Sequence, residues 1–252
     1  MQKIILITGA TSGIGKASAE KFASEGWDCI LTGRRQDRLE KLAKQLAKKY
    51  GVSILPLVFD VRDRDAVTNI LGKLPAKWTK IDVLLNNAGL ALGTEPFADA
   101  DMDNWDTMID TNVKGVLYVS KAIIPYFIKN KKGHIVNITS TAGKDVYPGG
   151  NVYCASKHAL DAITKAQRID LLPYGIKVTS VAPGAAETEF SEVRFMGDKE
   201  KASAVYNGFE PLHAEDVAST VFYCATLPKH VCINDLVITC TAQANAFFTN
   251  KK

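Results

Sequence analysis

The chain has 252 residues, 46% of them hydrophobic, with a formal net charge of +4 and acids interspersed among the bases. That is enough apolar material for one sizeable core, and it excludes a disordered or fibrous chain. No basic cluster marks a nucleic-acid partner, and no apolar run is long enough to make a membrane span.

Along the chain, short apolar runs rich in β-branched residues stand at 4–8, 28–32, 53–58, 83–86, 134–138, 177–182 and 236–239. They alternate with helix-period stretches at 13–24, 36–49, 63–74, 102–128, 152–172 and 214–224. Strands that read as continuous apolar runs suit a parallel sheet covered on both faces. The alternation predicts a single-domain α/β fold over residues 1–252, a doubly wound (Rossmann-type) parallel sheet of about seven strands with helices on both faces. One irregular stretch, at about 185–211, follows Pro183 and Gly184 and reads as a substrate-loop insertion. Ligands of such sheets bind beyond the carboxyl ends of the strands, which is where the chemistry-bearing residues fall.

After the first strand, Gly9, Gly13 and Gly15 punctuate a loop that also holds Thr11 and Ser12. Glycine lets backbone approach a ligand closely, and the following helix turns its free N–H groups and positive end on the loop. An ordinary glycine-rich turn would look the same in isolation; strand, loop and helix in this order favour a dinucleotide pyrophosphate site. The second strand ends in Arg34 and Arg35, where an acid would hydrogen-bond the ribose 2′-hydroxyl of NAD. A guanidinium matches the 2′-phosphate of NADP instead, so NADP is the expected cofactor. The competing reading is a pair of solvated cations at the start of a helix with Asp37 and Glu40. After the third strand, Asp60 and Val61 are placed for the adenine edge, against a rival reading of Asp60 or Asp63 as a helix N-cap.

Tyr153 and Lys157 share one helix face by their i, i+4 spacing. A nearby ammonium and a cationic nicotinamide ring would favour phenolate and lower the tyrosine pKa, so that Tyr153 exchanges a proton with a substrate oxygen while hydride moves. Ser140, after the fifth strand, offers a hydroxyl to the same oxygen. Asn86, Asn87, Ala88 and Gly89 form a polar turn after the fourth strand. Asn112 interrupts an apolar helix, either as a satisfied core amide or as a kink that holds a water near Lys157. A cation is needed if the substrate is an acid, and Arg194 in the irregular segment is the candidate; its bland alternative is a solvated pair with Glu192 or Asp198.

In combination, residues 8–15 and 86–89, Asn112, Ser140, Tyr153, Lys157, Pro183 and Gly184 resemble the short-chain dehydrogenase/reductase family, in order and over nearly the whole chain. The resemblance implies that Tyr153 is the acid/base and Lys157 its activator and ribose ligand. It implies that Ser140 orients substrate and that Asn112 supports a proton-relay water. Its cofactor set takes in Gly9, Thr11, Ser12, Gly13, Ile14, Gly15, Arg34, Arg35, Asp60, Val61, Asn87, Ala88, Gly89, Tyr153, Lys157, Pro183, Gly184 and Thr188. Residues 89–93, 110–112, 149–153, 188–191, 193–195, 197–198 and 227–231 are similar, more narrowly, to NADP-dependent 3-hydroxy acid (serine or L-allo-threonine) dehydrogenases. That implies oxidation of serine, 3-hydroxyisobutyrate or 3-hydroxypropionate, with malonic semialdehyde in reverse; the wider family resemblance implies a dimer or tetramer, with a homotetramer expected. Ala185 and Ala186 stand where bulkier residues such as Leu-Val are common.

Two further function classes compete with this reading. The same machinery fits an NADPH-dependent reductase of neutral ketones or aldehydes, which would lack a cation facing substrate. A non-catalytic, cofactor-binding regulatory protein would lack Tyr153, Lys157 or Ser140, and all three are present. The cysteines Cys29, Cys154, Cys224, Cys232 and Cys240 are odd in number and form no C-x-x-C pair, which suits apolar fillers in a reducing compartment. His134, His158, His213 and His230 lack metal-ligand spacing, so no metal is expected. A strand begins almost at the first residue, leaving no room for a signal peptide, and the expected location is the cytosol. Near the end, Ala246, Phe247 and Phe248 pack either on the chain's own sheet or against a second subunit.

Overall fold

The computed structural model describes residues 2–252. Its first half alternates strictly: β1 (Ile4–Ile7), α1 (Gly13–Ser24), β2 (Asp28–Gly33), α2 (Gln36–Tyr50), β3 (Ile54–Val58), α3 (Arg64–Leu71) and β4 (Val83–Asn86). Then follow α4 (Met102–Ile109), a π turn (Asp110–Lys114), α5 (Gly115–Asn130), β5 (His134–Ile138), α6 (Asn151–Leu171) and β6 (Lys177–Pro183). The last part holds β7 (Ala186–Glu187), α7 (Glu189–Arg194), α8 (Lys199–Ala204), β8 (Leu212–His213), α9 (Ala214–Thr226) and β9 (Asp235–Ile238).

Seven strands form one parallel sheet in the order β3-β2-β1-β4-β5-β6-β9. The central strands β1, β2, β4 and β5 are buried along their whole length, which is why they read as apolar runs and not as alternating ones. The core divides between the two faces. Phe22, Leu39, Leu85 and Val221 pack on one face, and Val67, Leu84, Ile123 and Phe127 on the other. The strand order reverses between β1 and β4, the position at which a doubly wound sheet opens a ligand crevice at its carboxyl edge. The fold is the expected Rossmann-type one, in a single domain.

Two elements differ from the sequence reading. The helix expected over 102–128 is interrupted by the π turn at Asp110–Lys114, at the turn from which the Asn112 side chain reaches Leu90 and Ser156. The stretch 185–211 is not a loop throughout. Thr188 caps α7 by accepting from the Phe190 N–H at 3.2 Å, Asp198 caps α8 by accepting from Lys201 N–H at 3.0 Å, and β7 pairs with β8. Two-residue strands and six-residue helices carry no periodic signal, but each of the two helices has its own cap.

Phe247 and Phe248 do not pack on the sheet. Their rings lie 5.6 Å apart and stay more than half exposed. Among the described residues, no helix is long and apolar enough to cross a membrane.

Candidate functional site

A cleft of about 540 Å³ opens at the carboxyl ends of the strands. Gly9, Thr11, Ser12, Gly13, Ile14, Arg34, Arg35, Asp60, Val61, Asn87, Ala88, Gly89, Ser140, Tyr153, Lys157, Pro183, Gly184, Thr188 and Arg194 all line it. Of the residues expected at the site, Gly15 and Asn112 lie behind its wall.

Gly9 takes a left-handed φ of 66°, which only glycine adopts freely, to turn the chain from β1 into the phosphate loop. Gly15 serves packing: a Cβ there would run into the Gly9 carbonyl and the Asn87 amide. Thr8, part of the loop motif but given no role by the sequence, ties the two loops together. Its hydroxyl accepts from the N–H groups of Asn87 and Ala88, both at 3.0 Å, and Asn87 Nδ2 donates back to the Thr8 carbonyl at 2.9 Å. Ser12 leaves the N-terminus of α1 without a side-chain cap, so the first-turn N–H groups remain available to an anion. The cradle therefore fits a dinucleotide pyrophosphate.

At the end of β2, Arg34 reaches Asp60 at only 3.4 Å and is largely exposed. Arg35 is the more firmly held: its Nε and Nη2 donate to Thr11 Oγ1 at 3.1 and 2.9 Å, and Nη1 donates to Glu189 at 2.8 Å. Asp60 lines the cleft but does not cap α3, a role that Asp63 takes by accepting from Ala66 N–H at 2.9 Å. Burial pushes the Asp60 carboxyl up, yet Arg62 and Arg34 beside it hold it below the usual range.

Deeper in, Tyr153 and Lys157 are both buried. Lys157 Nζ donates to the Ile138 carbonyl at 2.9 Å and lies 6.0 Å from the centroid of the Tyr153 ring. The expectation that the ammonium lowers the phenol pKa is corrected for the chain's own groups. Burial dominates and raises Tyr153 above its ordinary value, with Tyr147 adding to it, while the hydrogen bond with Ser140 and the charge of Arg194 pull the other way. Burial likewise depresses Lys157 to about 8.

That depression has a measurable consequence. The unfolded chain keeps the Lys157 proton up to about pH 10.5, whereas the folded one releases it near 8. Between these values the unfolded state binds more protons, so folding stability rises with pH by about 1.4 kcal/mol per unit. Urea unfolding of the wild type and Lys157→Met at pH 8, 9 and 10 should show the wild type gaining on the variant by that slope. A difference independent of pH would mean that the ammonium is not buried at this cost.

Asn112 holds two walls of the site together. Its Oδ1 accepts from Leu90 N–H at 2.9 Å, and its Nδ2 donates to the Leu90 carbonyl at 2.8 Å and to Ser156 Oγ at 3.0 Å. Both amide hydrogens are committed, so the side chain keeps no donor for a relay water. On the far side, Arg194 crosses from α7. Its Nε donates to the Gly93 carbonyl at 3.3 Å and its Nη1 to the Tyr147 hydroxyl at 3.1 Å, with the guanidinium 5.8 Å from the centroid of Tyr153. Among the described residues it pairs with neither Glu192 nor Asp198. Tyr147, Phe190 and Arg38 were not singled out from sequence: the first sits in a turn, the second in a helix too short to show a period, and the third in a solvated helix. No group of three or more His, Cys, Asp or Glu side chains able to hold a metal occurs among the described residues.

A model of the short chain dehydrogenase family matches residues 3–198. The chain is 48% identical over 249 residues to sulfoacetaldehyde reductase 2 of Chromohalobacter salexigens, covering 98% of each. It is 44% identical over 251 residues to the NADP-dependent 3-hydroxy acid dehydrogenase of Schizosaccharomyces pombe, covering 99% of this chain and 97% of that protein. In structure it is similar to the closed form of a serine dehydrogenase complexed with NADP+, with a TM-score of 0.91, 44% identity and coverage of 96% and 97%. With the cradle, the arginines and the buried Tyr153–Lys157 pair, these likenesses establish that the chain belongs to the short-chain dehydrogenase family, as an NADP-dependent oxidoreductase acting on hydroxyl groups.

Proposed function

We propose that the protein oxidises the hydroxyl of small 3-hydroxy acids, of the kind represented by serine, L-allo-threonine, 3-hydroxyisobutyrate and 3-hydroxypropionate, and reduces the corresponding 3-oxo acids. The observation that carries this reading is Arg194, a guanidinium on the cleft beside Tyr153 whose partners among the described residues, Gly93 and Tyr147, are neutral. A substrate carboxylate is the natural anion for it, and a bidentate hold would fix the distance from the acid group to the reacting carbon.

In this proposal Tyr153 exchanges the proton with the substrate oxygen, and Ser140 donates a hydrogen bond to the same oxygen. Lys157 holds the nicotinamide ribose and keeps positive charge near the phenol. Asn112 is a positioning residue, acting through Leu90 and Ser156. The segment 185–211 covers the substrate, with Thr188 against the phosphate loop. Bound NADP supplies the hydride acceptor, and its cationic ring favours the phenolate that burial otherwise resists. A homotetramer in the cytosol completes the proposal; the exposed Ile169, Leu172, Phe247 and Phe248 are candidate subunit contacts, and a monomeric mass by light scattering would count against it.

Initial rates of NADPH formation with L-serine and 3-hydroxypropionate, beside neutral secondary alcohols of similar size, test the assignment. In Arg194→Ala, kcat/KM for the acids should fall by about 30- to 1,000-fold, the cost of breaking a charge-assisted pair. The alcohols should change little. Acid turnover unchanged in the variant, or equal losses on both, would keep the function but place the carboxylate clamp elsewhere, and turnover of the alcohols alone by the wild type would leave a neutral carbonyl reductase.

A second reading is favoured by Tyr147, whose hydroxyl sits beside the guanidinium and gives it a companion donor for a three-oxygen anion. That anion would be a sulfonate, and the relative named sulfoacetaldehyde reductase 2 supports it. Sulfoacetaldehyde with NADPH in the same assay separates the two: faster turnover than malonic semialdehyde would move the assignment to the sulfonate.

A further inference from the structure

The cations beside the phosphate loop already hold an anion of the chain itself. Arg35 ends the β2 turn and Arg38 lies in the first turn of α2. Both guanidinia reach the carboxylate of Glu189, the first residue of α7. Arg35 Nη1 donates to Oε2 at 2.8 Å, and Arg38 Nη1 donates to Oε1 at 2.9 Å and to Oε2 at 3.2 Å. Burial pushes the Glu189 carboxyl up, but the two guanidinia prevail and keep it below the usual range. One carboxylate against two guanidinia leaves a positive charge over.

Glu189 and Arg35 line the same cleft as Thr11, to which Arg35 gives its Nε and Nη2. This is the end of β2, where the adenosine ribose lies in such folds. The remaining cation, Arg34, is the more exposed and the more loosely paired. A 2′-phosphate carries up to two charges and three acceptor oxygens, and a guanidinium fork suits it better than a single carboxylate does. It cannot use the Arg35 edge facing Glu189 while the carboxylate is there.

We propose that the Glu189 carboxylate and the 2′-phosphate of NADP are alternative occupants of the Arg35–Arg38 pair, so that Glu189 is a specificity-determining residue acting as an internal competitor. NAD, with a bare 2′-hydroxyl, leaves the Glu189 contacts in place. NADP takes the two guanidinia and frees the start of α7, the helix that ends in Arg194. Arg38, absent from the sequence reading, thereby joins Arg35 as a ligand of the phosphate. This inference rests on the NADP dependence of the enzyme and is independent of which acid it oxidises.

Calorimetric titration of the full chain with NADP+ and with NAD+, without substrate, tests it. In Glu189→Gln, the dissociation constant for NADP+ should fall by about three- to tenfold, the worth of two half-exposed ion pairs, while that for NAD+ stays within about twofold. In Arg38→Gln, NADP+ should weaken by a similar factor and NAD+ should again be unaffected. The NAD+ titration also reports that each variant is folded. Unchanged or weaker NADP+ binding in Glu189→Gln would overturn the proposal. So would equal tightening of both nucleotides, since Glu189 would then restrain the cleft without competing for the phosphate.

Discussion

Tyr153→Phe is expected to lower kcat by about 10²- to 10⁴-fold, the usual worth of a positioned acid/base, while the dissociation constant for NADP+ changes by less than about threefold. The substitution removes one oxygen from a buried ring that packs 5.6 Å from Phe190 and sits near Lys157 and Arg194. The ring's packing survives, so the loss should appear in the chemical step. Burial holds the phenol above its ordinary pKa, and only a cation arriving beside it brings the group into a useful range. Single-turnover rates with the preferred acid, measured alongside NADP+ titration, give both quantities. A variant that keeps more than a tenth of wild-type kcat would mean that another group moves the proton.

Acid should destabilise the fold through a residue far from the chemistry. His134, at the start of β5, is 2% exposed. Its Nε2 lies 2.7 Å from Thr179 Oγ1, and that hydroxyl donates to the Ile233 carbonyl at 2.6 Å. The threonine proton is therefore committed, and Nε2 must be the donor of the pair. Nδ1 has no hydrogen-bond partner among the described residues. Protonating it would bury an uncompensated charge, and burial, helped by Lys177, depresses the imidazole to about 3. An unfolded histidine titrates near 6.5, so below that pH the unfolded chain binds a proton that the native state refuses. Stability is complete above pH 6.5 and declines as pH falls toward 3, by about 1.4 kcal/mol per unit. His134→Gln keeps a donor for Thr179 and cannot titrate. Urea midpoints at pH 7, 6, 5 and 4.5 should show the variant losing less stability than the wild type by that slope; parallel curves would mean that the imidazole is not the group responsible.

The elements that the sequence displays are those whose burial is uniform along the chain. β1, β4 and β5 lie between two layers of helices, and their apolar runs admit one reading. The phosphate loop, the arginines after β2 and the Tyr153–Lys157 spacing are legible for a related reason: each is local, fixed within a few residues by backbone geometry. What remained hidden depends on partners distant in the chain. Glu189 meets Arg35 across 154 positions, and nothing around Glu189 distinguishes it from a solvated helix start. Tyr147 lies in a turn between β5 and α6, and only the arrival of α7 makes it a neighbour of Arg194. The two-residue pairing of β7 with β8 is too short to have a period. The π turn falls in the same class, because it coincides with the bonding of Asn112 to the distant Leu90 and Ser156 and leaves no mark in the apolar pattern around it.

One extra residue in a helical turn advances everything beyond it by about 100°. The rod formed by α4 and α5 thus runs in two phases. Before the turn, Trp105 and Met108 pack in the cluster that surrounds Tyr153. After it, Val119, Ile123 and Phe127 face the sheet. An unbroken helix would present one continuous stripe and could satisfy only one of these surfaces. The same rod can therefore be varied in two independent ways: changes upstream of Asp110 act on the packing behind Tyr153, and changes downstream of Lys114 tune the stability of the sheet beneath it.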